Sequence, residues 1–561
     1  MKIQKVEIAN FRSIKSLAFS PGDYTVLIGE NNAGKSNILR AVNLVLGESW
    51  PTERAFSDED FYNQDTSEPV SIKVYFDEII EEWRNGVQAQ IAGLELKCRA
   101  YKRKVKDKPA GSLVVDYHCI GADGEPITIP DRPLQKGQQY KGAWLPMRVT
   151  NELRDNLPFI YVDVTREYDK HSPGGRWSVL RRLFDDVNKE FAADAKKIQV
   201  VQADGTTIEM TRREAFEQAV KNAYGYLRTP LFDTIENRLA ANALEQMGLD
   251  TEEGEVALHF QAHDPSNAYK SLQLFINQLG IESPATEVGS GLQSAVVVAI
   301  FRTYAELKKA GAIFAIEEPE VYLHPQKARF FKSVLLKLAE SGNQVFVTTH
   351  SPVFVDISKP ESVALVRRIN SEGTKVLQPE SVELAPDDRS QLRLLTEFDS
   401  QRSELFFARK IVLVEGVCEK LIVPMVFGAL GVDINRQGIS VIECGGKTKI
   451  KLFARVANAL KIPYMAIIDH DIREIDEDWS DKRKQDELRR NSEHNRWNSE
   501  IEAIVPNGQL FYLVPNLEGV SGLPLSNESA KVDNAIAFYE GIVDKDIPES
   551  IITPLCALIE M

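Results

Sequence analysis

The sequence predicts an α/β chain of two parallel-sheet units in series, the first interrupted by a helical insertion. Three observations predict it. A short apolar run, Tyr24 to Ile28, passes through a glycine-bracketed turn, Gly29 to Ser36, directly into helical spacing from Lys35 to Leu46. From Ser172 to about Leu244 the texture changes to long charged stretches with Leu, Phe and Ala three and four residues apart, the spacing of helix stripes. From Ile411 onward four apolar runs, Ile411–Val414, Ile439–Ile442, Met465–Ile468 and Leu510–Val514, alternate with helical stretches, as a mostly parallel sheet requires.

The remaining elements follow in order. Lys2 to Ala9 alternates as a strand, and Ser71–Phe76, Leu94–Arg103 and Ser112–Cys119 read as further strands joined by Gly- and Pro-containing turns. Strands return at Ile313–Ile316 and Gln344–Thr348, with a helix from about Pro325 to Glu340 between them. The polar, Pro-containing stretch Ser371–Arg389 is the expected domain boundary. The expected plan is a head built from 1–170 and 246–385, a helical insertion at 171–245, and a second domain at 386–561. A length of 561 residues suits three or four units at roughly 150 residues each.

Composition narrows the class. With 43% hydrophobic and 27% charged residues the chain is globular. The balance of 67 basic and 82 acidic side chains, net −15, excludes a uniformly basic nucleic-acid coat but not local basic channels. Cys98, Cys119, Cys418, Cys444 and Cys556 are scattered with no C-x-x-C pair. That argues against a disulfide framework or cysteine zinc site and for a reducing cytoplasm. No apolar run approaches the ~18 residues that span a membrane, and Met1–Ile8 lacks the apolar core of a leader.

Gly29-Glu-Asn-Asn-Ala-Gly34-Lys35-Ser36 matches the phosphate-loop pattern in the context that pattern needs, after a strand and before a helix. Backbone N–H groups and the helix N-terminus would hold phosphates, Lys35 would neutralise them, and Ser36 would bind Mg²⁺. Asn31, Gly34 and Asn37 complete the expected nucleotide contacts. The partner motif is Ile313-Phe-Ala-Ile-Glu317-Glu318: Glu317 to hold the Mg²⁺ shell, Glu318 to orient or deprotonate the attacking water. Ser290 and Gly291, in Glu287-Val-Gly-Ser-Gly-Leu-Gln293-Ser294, form a turn able to contact a γ-phosphate. His350, at the end of Gln344-Val-Phe-Val-Thr-Thr-His350, is placed to sense it.

That order of motifs resembles the ATP-binding-cassette ATPases, and Ile8-Ala-Asn-Phe11-Arg12-Ser13-Ile14 further resembles their SMC and RecF-like branch. The resemblance implies heads that associate over ATP, the turn of one head completing the site of another. Three departures point to slow turnover: the signature is reduced to Val288-Gly-Ser-Gly-Leu-Gln293, the usual aspartate is Glu317, and the Q-loop candidate is Gln64, just before a strand.

A second constellation lies downstream. Lys410-Ile-Val-Leu-Val414 ends in Glu415-Gly-Val-Cys-Glu419, and Met465-Ala-Ile-Ile468 ends in Asp469-His-Asp471. If these strands are neighbours in a parallel sheet, four carboxylates converge at their C-terminal ends. Oxygen-only ligands favour Mg²⁺ or Mn²⁺, and two such ions about 4 Å apart suit in-line phosphodiester cleavage. The arrangement resembles the Toprim domain. An ABC ATPase followed by Toprim resembles the OLD (overcoming lysogenization defect) family of nucleases over nearly the whole chain. The resemblance implies Glu415, Glu419, Asp469 and Asp471 as metal ligands, Glu518 as a further ligand, and Lys531 as the lysine facing the scissile phosphate, with Lys447 as its competitor. It also implies DNA as substrate, ATP with Mg²⁺ or Mn²⁺ as cofactors, a homodimer or homotetramer, an antiphage defence role, and a partner protein or nucleic-acid component encoded nearby.

Other features are weaker. His259-Phe-Gln-Ala-His263 lacks the glutamate of a zinc-protease helix. The basic runs Lys97–Lys106 and Asp481–Arg490 read first as solvated faces, and second as tracks for a phosphate backbone. The competing functional reading is a non-cleaving, ATP-gated DNA-binding module whose Toprim domain is structural. A primase reading lacks any companion zinc or helicase module.

Overall fold

Among the described residues the strands are β1 Ile3–Phe11, β2 Ile14–Phe19, β3 Tyr24–Ile28, β4 Val70–Arg84, β5 Val87–Ala100, β6 Leu113–Ile120, β7 Thr128–Pro130, β8 Trp144–Pro146, β9 Phe159–Val162, β10 Lys197–Val201, β11 Thr207–Thr211, β12 Phe275–Gln278, β13 Ile281–Pro284, β14 Ile313–Glu317, β15 Gln344–Thr348, β16 Val363–Ile369, β17 Gly373–Leu377, β18 Lys410–Val414, β19 Ile439–Glu443, β20 Tyr464–Asp469 and β21 Leu510–Leu513. The computed structural model describes all residues except 48, 102–108, 110, 135–139, 165–177, 202–204, 248–268, 270, 279, 308–310, 322, 380–381, 383, 397–400, 524–527 and 543–545. Compactness divides it into two units, Met1–Val164 with Lys309–Met561, and Thr165–Lys308.

In the first unit an eleven-stranded sheet runs β6-β5-β4-β1-β2-β17-β16-β3-β15-β14-β9. One half is parallel and mostly apolar: β3, β14 and β15 are buried at every position. That continuous burial marks strands covered on both faces. The other half is antiparallel, and β1, β2 and β4 alternate buried and exposed residues, the mark of one solvated face. The helix Lys35–Leu46 turns Ile38, Leu39, Val42 and Val45 into the core shared with β1 and β4. Full burial of each contributes on the order of 1.5–3 kcal/mol. That packing fixes where the helix begins, and so where the phosphate loop ends.

The second sheet runs β19-β18-β20-β21, all parallel, with β18 and β20 adjacent. Val412 and Val414 of β18 pack with Ile422 and Val426 of the helix Val417–Ala429 and with Leu555 and Leu558 of the helix Glu549–Glu560.

Two expectations need correction. The stretch Ser371–Arg389 is not a plain boundary, because β17 lies inside it and pairs with β16 and β2. Its hydroxyls and lysine disguise a strand whose first two residues are fully buried. The insertion is not purely helical either. The second unit holds the helices Val179–Ala193, Arg212–Gly225, Pro230–Met247 and Ser290–Leu307, but also the hairpins β10–β11 and β12–β13. These strands are short and largely exposed, so no buried face advertised them. The unit's boundaries also place the turn at Ser290 inside it, not in the head. Of the set-aside features, His259, His263 and residues 102–106 lie outside the described residues.

Candidate active sites

The phosphate loop is built on two glycines that accept no side chain. Gly34, at φ 108°, stands so close to its surroundings that a Cβ would meet Thr374 Oγ1 at 2.3 Å and Ser13 Oγ at 2.8 Å. Gly29, at φ 149°, would put a Cβ 2.1 Å from the Val366 carbonyl oxygen. The loop is held from below by a hydroxyl network. Asn37 Nδ2 donates to Ser13 Oγ at 2.9 Å, and Thr374 Oγ1 lies 2.8 Å from both Ser13 Oγ and the Ala33 carbonyl oxygen. Thr374 sits on β17, in the stretch that sequence reasoning took for a boundary.

Lys35 is 5% exposed and its Nζ donates to the carbonyl oxygens of Gly29 and Glu30, each at 3.0 Å. Burial pushes its pKa down, while Glu318 and Glu320 push it up. Glu317, at the end of β14, accepts a hydrogen bond from Tyr161 Oη at 2.7 Å and another from Ser36. Burial raises its pKa, against the pull of Tyr161, Arg40 and Ser36. Tyr161 belongs to β9, the parallel neighbour of β14. Glu318 has a left-handed backbone, φ 42°, a strain of about 1–3 kcal/mol that tends to persist where function needs it. Its Oε1 stands 3.6 Å from His350 Nε2. Burial and the nearby Lys35 charge push the His350 pKa down. Glu320, two residues beyond Glu318, carries no role in the sequence reading, yet its Oε1 accepts from the His350 backbone N–H at 2.7 Å and from Thr349 Oγ1 at 2.8 Å. It fixes the histidine's position.

Asn31 is exposed at the loop's tip. Gln64 is exposed in a left-handed turn, φ 59°, with no side-chain hydrogen bond to the loop or carboxylates among the described residues. The structure therefore does not bring it to the site. Ser290 and Gly291 open the helix Ser290–Leu307 of the second unit, and the side chain of Ser290 lies outside the described residues.

In the second sheet Val414 pairs with Ile467, which puts Glu415 and Asp469 at adjacent strand ends. Glu415 Oε1 accepts the Asp469 backbone N–H at 2.9 Å, and Asp469 Oδ1 accepts that of Leu517 at 2.9 Å. Glu419 turns back to cap the Gly416 N–H at 3.1 Å. Burial pushes the Glu415 pKa up to about 7 and that of Asp469 up to about 8, with Glu419 and Asp471 adding to both by repulsion. Two lysines flank the cluster. Lys447 Nζ, buried, donates to Asp471 Oδ2 at 3.0 Å and to the His470 carbonyl oxygen at 3.3 Å. Lys531 Nζ lies 2.5 Å from Glu518 Oε1. Each lysine therefore pairs with one of the acids, Lys447 with Asp471 and Lys531 with Glu518. His494 was missed: its Nδ1 stands 3.6 Å from Asp471 Oδ2.

Among the described residues no group of three or more His, Cys, Asp or Glu is already gathered as a metal cage. Glu415, Asp469, Glu419 and Asp471 each accept a hydrogen bond from within the chain. The chemistry still fits a divalent cation. Glu415, Asp469 and Glu419 are oxygen donors that burial and mutual repulsion disfavour as anions, with Lys447 offsetting part of this at Glu415, and a hard cation relieves the rest.

Comparison with known proteins gives two domain matches. Residues 1–113 and 230–355 match the model of an AAA ATPase domain, and residues 406–471 match the Toprim domain of overcoming lysogenization defect protein-like proteins. The chain is 30% identical over 531 residues to the OLD nuclease of Thermus scotoductus, covering 93% of this chain and 92% of that protein. It is 24% identical to the Old nuclease of Escherichia phage P2, covering 84% and 77%, and 20% identical to the endonuclease GajA of Bacillus cereus, covering 84% and 75%. Among solved structures, an SMC head bound to the winged-helix domain of ScpA aligns at 15% identity and TM-score 0.37, over 69% of this chain and 99% of that one. The C-terminal region of a Burkholderia pseudomallei OLD protein aligns at 19% identity and TM-score 0.20, over 28% and 98%. No helix among the described residues is long and apolar enough to cross a membrane. ATPase and Toprim domains generally use nucleotide and divalent metal. An ATPase head joined to a Toprim domain, with this relatedness along almost the full length, assigns the chain to the OLD nuclease family.

Proposed function

We propose that the chain is a cytoplasmic, ATP-hydrolysing DNA endonuclease or nickase dependent on Mg²⁺ or Mn²⁺. The observation that carries this reading is the adjacency of Glu415 and Asp469 at the C-terminal ends of two central parallel strands, where open α/β sheets bind ligands. Divalent ions bound there supply Lewis acidity and a nucleophilic water. Glu415 and Asp469 would hold the primary ion, with Glu419, Asp471 and Glu518 completing the shell. Lys447 and Lys531 offer ammonium groups for the scissile phosphate. In the head, Lys35 neutralises phosphate oxygens, Ser36 and Glu317 hold the Mg²⁺ of ATP, and Glu318 orients the water while His350 faces it. Plasmid nicking with Mn²⁺ or Mg²⁺ against an EDTA control tests the nuclease. Glu415→Ala with Asp469→Ala should abolish nicking, leave ATPase activity within about twofold, and remove protection against phage in cells. Nicking that survives both substitutions would put the chemistry elsewhere. No nicking by the wild type under any metal would favour the DNA-binding module.

The same reading requires at least a dimer, because the turn at Ser290 and Gly291 of one copy would complete the ATP site of another. The insertion offers a surface for it. Leu231, Ile235 and Leu239 form a stripe at i, i+4 and i+8 of the helix Pro230–Met247 and are 68%, 53% and 47% exposed. Light scattering should report a dimer or tetramer, and a monomer with and without ATP would exclude it.

A further inference from the structure

The phosphate loop and the second sheet meet at an ion pair. Glu30, the second residue of the loop, accepts a two-pronged hydrogen bond from Arg409: Nε to Oε1, and Nη2 to Oε2 at 2.9 Å. Arg409 immediately precedes β18, and Glu415 immediately follows it. Beside the pair lies a cavity of about 470 Å³, walled by the first half of the loop, the end of β16 and residues 407–409. Arg367 and Arg368 also line it. Arg367 is half-buried, with Glu30 and Arg409 as its charged neighbours. Arg409 and Arg367 thus act on one carboxylate, and that carboxylate belongs to the nucleotide loop.

We propose that the Glu30–Arg409 pair couples the two active sites, so that nucleotide in the phosphate loop biases the position of β18 and with it Glu415. This rests on the function proposed above. The argument starts at Lys35, whose ammonium donates to the Glu30 carbonyl oxygen. A triphosphate is a stronger acceptor than a carbonyl, because its oxygens are charged, so it claims that ammonium. Glu30 then loses its backbone partner, and its carboxylate meets the phosphates' charge at short range. Both changes loosen its hold on Arg409, while Arg367, Arg368 and Arg409 gain an anionic alternative. The start of β18 is released as a result. The exchange is reciprocal: whatever nucleotide does to β18, the state of β18 does to nucleotide affinity. One well-formed exposed pair sets the scale at about fivefold or less.

Hydrogen–deuterium exchange of the full chain, read at residues 407–411 with and without a non-hydrolysable ATP analogue and Mg²⁺, tests the coupling. Nicking is measured in parallel. In the wild type the analogue should raise exchange in this segment and change the nicking rate. Arg409→Ala should still bind the analogue, about two- to fivefold more tightly, and still nick without it, but both responses should vanish. Arg409→Lys keeps the charge without the two-pronged geometry and should respond partially. A response at residues 407–411 that persists undiminished in Arg409→Ala, or is absent from the wild type, overturns the proposal. A wild type that shows the exchange response but never nicks upholds the coupling and refutes the nuclease reading.

Discussion

The two candidate sites each gather carboxylates at the ends of parallel strands, yet they handle the charge differently. In the head the protein supplies the cation: Lys35 stands among Glu318, Glu320 and His350, and Glu317 has Tyr161, Ser36 and Arg40 to hold it. In the C-terminal sheet Lys447 and Lys531 are engaged at the margins with Asp471 and Glu518. Lys447 offsets part of the charge at Glu415, while at Asp469 the repulsion from Glu419, Glu415 and Asp471 adds to burial. Burial is the largest cause of the shifts at Glu415 and Asp469, whereas Glu318 and His350 in the head are partly exposed, and the charged partners add to that contrast. The lesson is that the head sets the chain's own ammonium among its carboxylates, whereas Glu415 and Asp469 stay raised even with Lys447 nearby and have more to gain from an added cation.

This contrast can be broken most severely in the head. Glu318→Gln keeps the size and hydrogen-bonding reach of the side chain and removes only its basicity. ATP turnover should fall on the order of a hundred- to ten-thousandfold, with nucleotide binding nearly intact. Lys35→Ala should instead weaken binding of a fluorescent ATP analogue, by about 2–3 kcal/mol or roughly 30- to 150-fold. An unchanged ATPase rate in either variant would remove the head site as described. A smaller effect sharpens the comparison. Tyr161→Phe deletes one hydrogen bond to Glu317, worth about 1 kcal/mol. The Mg²⁺ concentration needed for half-maximal ATPase activity should rise about fivefold with the rate at saturating Mg²⁺ preserved; loss of rate alone would mean Tyr161 is only structural.

Much of this was legible before any coordinates. The strand, glycine turn and helix around Lys35 are a local signal, since the loop, the helix start and the ammonium all fall within eight consecutive residues. Likewise Ile411–Val414 and Met465–Ile468 announce buried strands, so the acids that follow them must lie at strand ends. What stayed hidden depends on pairing across the sequence. Thr374 matters because β17 returns beneath the loop to meet Ser13, 361 residues away, and no local pattern records that. Tyr161 resembles any aromatic strand residue until β9 is placed beside β14. His494 sits on a highly charged helix, Asp481–Glu502, whose composition reads as solvated surface. The lysine left open in the sequence stays divided for a structural reason: Lys447 pairs with Asp471 and Lys531 with Glu518.

The claim that the C-terminal cluster imports its cation is tested most directly by titrating Mn²⁺ into the nucleotide-free protein and measuring heat of binding. The wild type should bind Mn²⁺ without ATP, and Glu415→Ala with Asp469→Ala should not. The pH dependence has a definite sign. Glu415 and Asp469 are pushed up to about 7 and about 8, and the metal takes the deprotonated form. Affinity should therefore rise between about pH 6 and pH 8. Over the same window the metal-free chain should lose stability, because a raised carboxylate pKa favours the folded state only while the proton is on. Binding that survives the double substitution unchanged, or a wild type that binds no Mn²⁺ until nucleotide is added, would contradict the account.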